Sequence, residues 1–569
     1  MTRSRACSVI RAPLIVAAMA LLLAGCGAQD SQSPPLDPGV VTLVPGQSAP
    51  IAGATTLRVQ GGSAGSENVL VLADTATVSV SAKSAYAVAA SDVGAAGAVS
   101  APSSSLIPDA TATAAPVLDI SFGMRRNDAS RTRLGGGFGA ARAMFAARTA
   151  APHGRFNSVA QAIPTVGDLL SVNVGSAACD TLVTRSARVV AVSARAIVLS
   201  DTLNPSGGFS TADYQRFAVR FDTLVYPLDV ANFGAPADID QNQRIILLFT
   251  AAVNELTPRN STSYVGGFFF DRDLFPVNTT PDFTGCKGSN VGELFYLLAP
   301  DPTGQVNGNI RRTGFVDSVT TSVLAHEFQH LINASRRLYI NKAASEFEVT
   351  WLNEGLSHIA EELLFYHEAG LTPGGNIDAT LIRGSPVIRG AYNADMSSNT
   401  ARYRLYLAAP SENSPIRSDD SLETRGATWD FLRYLADRKS GGSGSDVATW
   451  QGLVNSSTNG LANLRAVFGS DIAGFLRDWS VSHYADDLGS AVVREQTQPS
   501  WNFHSIFPAL AGASNTYPLQ VRSLAGSSAS GTLIGGGAAY YRFSIPANAT
   551  ATINVTAPGP IQAVVVRVR

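Results

Sequence analysis

The sequence predicts an α+β fold, a mixed sheet plus helices with flanking β-rich segments, and three observations carry that prediction. Up to Leu298, short apolar runs alternate with turn residues, as strands do. After Phe315 the apolar period lengthens from two to about three and a half, as in helices. Beyond residue 505, Gly-punctuated strand patterns return. A chain of 569 residues with 45% hydrophobic and 15% charged residues can bury more than one core. Strands first and helices later is the order of an α+β domain.

Taken in order, residues 1–25 read as an export signal: Arg3, Arg5 and Arg11 precede an apolar run from Leu14 to Leu23. That run is short for a bilayer span. The segment ends Leu23-Ala24-Gly25-Cys26, which resembles the lipobox of bacterial lipoproteins and implies a lipid-modified Cys26 and a membrane-anchored, extracytoplasmic protein. Residues 26–50 read as a tether rich in Ser, Pro and Gly, and 51–120 as a β-rich N-terminal region grading from Ala87 into an Ala, Ser and Gly linker. Residues 121–160 are basic and Gly-rich, a second linker, and 161–235 a β-rich lead-in. The main domain spans 236–490, with buried strands at Ile245–Phe249 and Leu294–Leu298 and helices at 317–336, 346–368, 421–438 and 446–486. Residues 505–569 form a C-terminal β region.

Of the four cysteines, Cys7 falls in the signal and Cys26 would carry lipid. Cys179 and Cys286 remain, and an exported chain meets surroundings in which they could pair. Such a bond closes a loop of just over a hundred residues, about 4 to 5 kcal/mol in the chain-entropy model.

Val323-Leu324-Ala325-His326-Glu327-Phe328-Gln329-His330 fits a helix for which Asp317 is the expected N-cap. Residues four apart share a helix face, so His326 and His330 can hold one zinc ion while Glu327 reaches its water as general base. A catalytic zinc needs a third protein ligand. The metzincin pattern does not provide it, because its Gly and His positions are Asn333 and Arg336. A second amphipathic segment, Trp351-Leu352-Asn353-Glu354-Gly355-Leu356-Ser357-His358-Ile359-Ala360-Glu361-Glu362, offers Glu354.

HEFQHLIN followed by WLNEGLSHIAEEL resembles the hyicolysin-type metallopeptidases, a bacterial family of the gluzincin group. The resemblance covers 316–365 and extends more weakly over 165–490. It implies a thermolysin-like catalytic domain, zinc on His326, His330 and Glu354, Glu327 as the catalytic carboxylate, and a peptide or protein substrate. One position departs from the thermolysin pattern: four residues after Glu354, where an orienting Asp is expected, stands His358. Glu354, His358 and Glu361 share one helical stripe, so His358 is an alternative ligand and Glu361 either a ligand or the orienting carboxylate. Tyr339, Tyr366, His367, Tyr392 and Tyr403 are the available donors for a developing oxyanion.

A second constellation, Asp238, Asp240 and Asn242, spaces oxygen side chains as the opening of a calcium loop does, with Gln243 where such a loop has Gly. A net charge of −2 without a long Lys and Arg block lacks the footprint of nucleic-acid binding. The rival reading is a non-catalytic surface lipoprotein, an adhesin or scaffold on a metallopeptidase fold, whose mark would be a broken motif. A zinc hydrolase of non-peptide bonds is a third.

Overall fold

The computed structural model describes residues 39–51, 56–78, 80–97, 117–118, 131, 137–148, 163–175, 179–261, 263–441, 446–510, 516–525 and 528–569. The export signal, Cys26 and most of the expected tether lie outside the described residues. The fold is mixed α+β with mixed sheets.

The chain opens with β1 (Val40–Val41), β2 (Ser48–Ile51), β3 (Thr56–Gln60), β4 (Ser66–Asp74) and β5 (Ser84–Ser91), and β6 (Val117–Leu118) follows. The helix α1 (Phe138–Arg148) leads to β7 (Leu169–Asn173), β8 (Thr184–Val192) and β9 (Ala196–Asp201). Next come α2 (Thr211–Arg220), a π-turn over Phe221–Val225, α3 (Tyr226–Phe233), β10 (Ile245–Thr250), β11 (Ser263–Tyr264), β12 (Gly267–Phe269) and β13 (Leu294–Leu298). The helical part contains α4 (Thr313–Ser335), α5 (Thr350–Ala369), α6 (Ser397–Ala408), α7 (Leu422–Ser440) and α8 (Ile472–Ala485), with shorter helices between them. The chain closes with β14 (Val521–Ser523), β15 (Ser528–Leu533), β16 (Ala538–Ile545), β17 (Thr550–Thr556) and β18 (Ile561–Arg567).

The main sheet has the order β12-β13-β10-β9-β8-β7, with β13, β10 and β9 mutually parallel and the other pairs antiparallel. Every residue of β10 and β13 is buried, which is why both read as unbroken apolar runs. Helix α4 packs on β12 and β13, and α5 packs between α4 and α7. A disulfide joins Cys179 to Cys286 across 107 residues.

The structure changes several readings of the sequence. The 161–235 lead-in is strand and then helix: Ser210 and Asp213 form a reciprocal capping box for α2, and Tyr214, Phe217 and Phe221 face the core at helical spacing. Helix α4 starts at Thr313 with Arg312 as N-cap, while Asp317 pairs with Arg216 at 2.5 Å. The expected helix at 446–486 is three, Val447–Val454, Gly460–Phe468 and α8. Within the basic 121–160 linker, α1 docks on the core: Phe138 and Ala141 are buried, and the Arg142 guanidinium donates to the carbonyls of Arg337, Leu338, Asn341, Lys342 and Ala344 where α4 runs out.

The two chain ends build one unit. Strands β1, β3, β17, β5 and β15 make one sheet and β14, β16, β4, β18 and β2 another, so strands from the N-terminal and C-terminal regions mix within both. Strand β1 and most of β2 therefore fall inside the stretch read as tether, and β5 runs from the β-rich stretch past Ala87 into the stretch read as linker. Between the sheets lie Leu57, Val59, Leu70, Leu72 and Val88 together with Phe543, Ile553 and Val565. The opposite face of β4 turns Val69 and Val71 into the main core, so β4 is buried on both sides. Tyr540 of β16 donates to Ser480 O of α8 at 2.8 Å across the same seam.

Candidate metal centre

Helix α4 is central, with every residue from Thr320 to Ser335 buried. His326 and His330 stand one turn apart on it, their Nε2 atoms 3.1 Å from each other. Glu354, in the first turns of α5, brings Oε2 to 3.6 Å from His326 Nε2 and Oε1 to 3.5 Å from His330 Nε2. Ligand atoms of these three residues all lie within 4.8 Å of one another.

The short sequence around Glu354 explains its aim. Asn353 Oδ1 accepts from Asn333 Nδ2 at 2.8 Å, which fixes the rotation of α5 about α4. Gly355 faces α7 so closely that a Cβ there would come within 2.5 Å of Thr428 Cγ2. A side chain at that position would push α5 away from α7 and swing Glu354 off the histidines.

The far nitrogens of both imidazoles are occupied. His326 Nδ1 lies 2.8 Å from Glu361 Oε1 and donates to it. His330 Nδ1 lies 2.9 Å from the Ser357 hydroxyl, which donates in turn to Gln329 Oε1 at 2.7 Å. With Nδ1 protonated and tied, each ring turns its Nε2 toward Glu354. Glu354 Oε1 is buried and accepts no hydrogen bond, so the Nε2 atoms of both rings and a carboxylate oxygen converge on one point. This donor set fits a zinc ion.

His358 is buried against the same group. Its Nδ1 is 3.3 Å from Glu361 Oε2, and its Nε2 lies 4.0 Å from Glu354 Oε2 without a hydrogen-bond partner. Glu361 thus sits between His326 and His358.

Electrostatics follow burial and neighbours. Burial lowers the affinity of the His326 ring for a proton, but the Glu354 and Glu361 carboxylates overcome it and raise its pKa to about 9, so the metal-free site attracts a cation. Burial pushes Glu354 up, yet Arg425 and His330 hold it well below the carboxylate range. Glu361 likewise stays low against burial because of His358 and His326. His358 itself is driven to about 3 by burial and remains neutral.

Glu327, on the same helix, is anchored by one oxygen only. Oε2 accepts from Phe269 N of the edge strand β12 at 2.7 Å, whereas Oε1 is buried without a donor. Burial raises its pKa, opposed by His326 and His330.

The aromatic and histidine candidates for an oxyanion donor are engaged elsewhere. Tyr339 donates to Leu274 O, Tyr366 lies 3.5 Å from Glu362, Tyr392 pairs with Thr400, and Tyr403 lies 3.4 Å from Gln498. His367 sits in the last turn of α5. What sequence reasoning missed is Arg425 of α7, whose Nη1 is 2.9 Å from Glu354 Oε2 and whose Nη2 is 2.5 Å from Asp420. No local pattern points to it, because it comes from a helix some seventy residues beyond Glu354. Ser357 was within reach of the sequence, lying three residues after Glu354 on the same stripe.

The second constellation changes membership. Asp238 and Asp240 gather with Glu293, while Asn242 turns its Oδ1 to Arg244 N and its Nδ2 to Asp240.

No protein-family model matches the chain. The chain is similar to the neutral metalloprotease ShpI of Staphylococcus hyicus, 28% identical over 200 residues, and the match takes in 34% of this chain and 41% of that protein, less than half the relative's length.

Proposed function

We propose that the protein is a zinc-dependent peptidase of the hyicolysin type, with a thermolysin-like active-site core. The observation that carries this reading is the convergence of His326 Nε2, His330 Nε2 and the Glu354 carboxylate beside a buried, singly anchored Glu327. The similarity to a neutral metalloprotease supports it.

His326, His330 and Glu354 would hold the ion, and Glu361 and Ser357 keep the two rings in the tautomer that binding requires. A zinc ion bound there supplies Lewis acidity and a nucleophile at neutral pH. Glu327 Oε1 is the proton carrier: its oxygen has no competing donor, and its raised pKa favours taking a proton from the nucleophile and returning it to the leaving amine. The Phe269 amide fixes the other oxygen, so the carboxylate cannot rotate away.

Purified protein is expected to degrade casein, to stop after treatment with a zinc chelator and to recover when zinc is returned. Equal degradation with and without the chelator would sink the reading.

The sequence Leu23-Ala24-Gly25-Cys26 supports an exported lipoprotein, anchored outside the cytoplasm by acyl chains. Labelled palmitate is expected in the wild-type protein and absent from Cys26→Ser. Label retained by the variant would remove the anchor.

A further inference from the structure

We propose that Asp238, Asp240 and Glu293 form a second metal site, one that holds a calcium ion and ties the loop before β10 to the start of β13. The site is far from the zinc candidates in sequence and uses none of their residues. Asp238 and Asp240 belong to the loop that leads from α3 into β10, and Glu293 directly precedes β13. Strands β10 and β13 are parallel neighbours, with Ile246 opposite Leu294, so loop and glutamate meet at the same end of the sheet. Ligand oxygens of the three carboxylates lie within 4.8 Å of one another.

An acidic cluster alone is common at protein surfaces, but this one reaches inward. Glu293 is only 1% exposed, and Asp240 is 6% exposed. Glu293 Oε1 accepts from Ile239 N at 2.7 Å, a bond that holds the side chain under the loop. Its Oε2 is buried and accepts nothing, which leaves a carboxyl oxygen desolvated without a partner. The nearest cation in sequence, Arg244, spends its guanidinium on Ser193 O and Asn242 O.

A hard divalent cation resolves all of this at once, since it takes carboxylate oxygens and tolerates backbone carbonyls and water in the remaining positions. Three carboxylates drawn from two separate segments suit calcium, which accepts six to eight oxygens in flexible geometry, better than magnesium, which demands a near-ideal octahedron. The sequence pattern supplied Asp238 and Asp240. Only the fold supplies Glu293, about fifty residues away.

The test uses the full chain, stripped on a chelating resin and resupplied with one equivalent of zinc, so that the readout is independent of peptidase activity. Calcium at about 1 mM, within reach of calcium modules of modest affinity, is expected to raise the melting temperature by several degrees, with one calcium retained per chain in equilibrium dialysis. Magnesium at the same concentration is expected to give no shift. Glu293→Gln should abolish the calcium shift, and Asp238→Asn, at the rim and tolerant of folding, should weaken calcium binding about tenfold or more. No calcium retained by the wild type, an equal shift with magnesium, or unaltered calcium binding in Asp238→Asn would each overturn the proposal.

Discussion

Glu361 stands behind His326 and His358 beside it, and their separate positions predict separate consequences of mutation. Glu361→Gln keeps the shape but loses the charge that holds His326 Nδ1, so zinc affinity should fall about 10- to 100-fold in a chelator competition. In the same assay Glu354→Ala should lose more than His358→Ala, because His358 Nε2 lies 4.0 Å from Glu354 and outside the converging trio. The reverse order would transfer the third ligand to His358. His326, Glu327 and His330 were legible in the sequence because two residues four apart on one helix meet wherever that helix lies. The preference for Glu354 over His358 and Glu361 came from the Asn-Glu-Gly context and the resemblance, because helix geometry alone does not separate them. All three share a stripe and lie against α4, and the Asn353 bond to Asn333 and the close crossing at Gly355 set the one that reaches the Nε2 atoms of both His326 and His330.

At the scale of elements, the pairing of β4 with β16 is reinforced by charge, and that charge gives a pH dependence. The Glu67 carboxylate of β4 accepts from Arg542 of β16 and from the C-terminal Arg569. Burial alone would raise its pKa, but the two guanidiniums prevail and hold it below the ordinary 4.5. A group with a depressed folded-state pKa binds its proton more readily when unfolded, so its stabilisation is complete above about 4.5 and fades as pH falls through the folded-state value. Glu67→Gln should therefore melt a few degrees below the wild type at pH 7, and the gap should narrow once pH drops below about 4.5. A gap that stays constant with pH would assign the effect to packing. Individual strands such as β10 and β13 were legible because burial on both faces leaves an unbroken apolar run. Helix α2 was not, although Ser210 and Asp213 carried its capping signal, because the strand patterns on either side of it dominated the reading.

Across the whole molecule, the order strand, helix, strand along the chain conceals how the parts assemble. The ends read as two unrelated β-rich segments, yet they pair into a single two-sheet unit seated on α8 through β4 and β16. Nothing local in Thr56–Gln60 specifies that its neighbour is Thr550–Thr556, since pairing across nearly five hundred residues is settled by which faces are left to bury. Helix α1 makes the same point, as a basic stretch whose Arg142 finds its partners only where α4 ends. The central claim nevertheless rests on one residue, Glu327, and the most direct measurement is casein hydrolysis by Glu327→Gln alongside its zinc content. The account predicts one zinc per chain in both proteins and a fall in kcat/KM of about 100-fold to 10,000-fold in the variant. Hydrolysis by a zinc-loaded Glu327→Gln at the wild-type rate would contradict it.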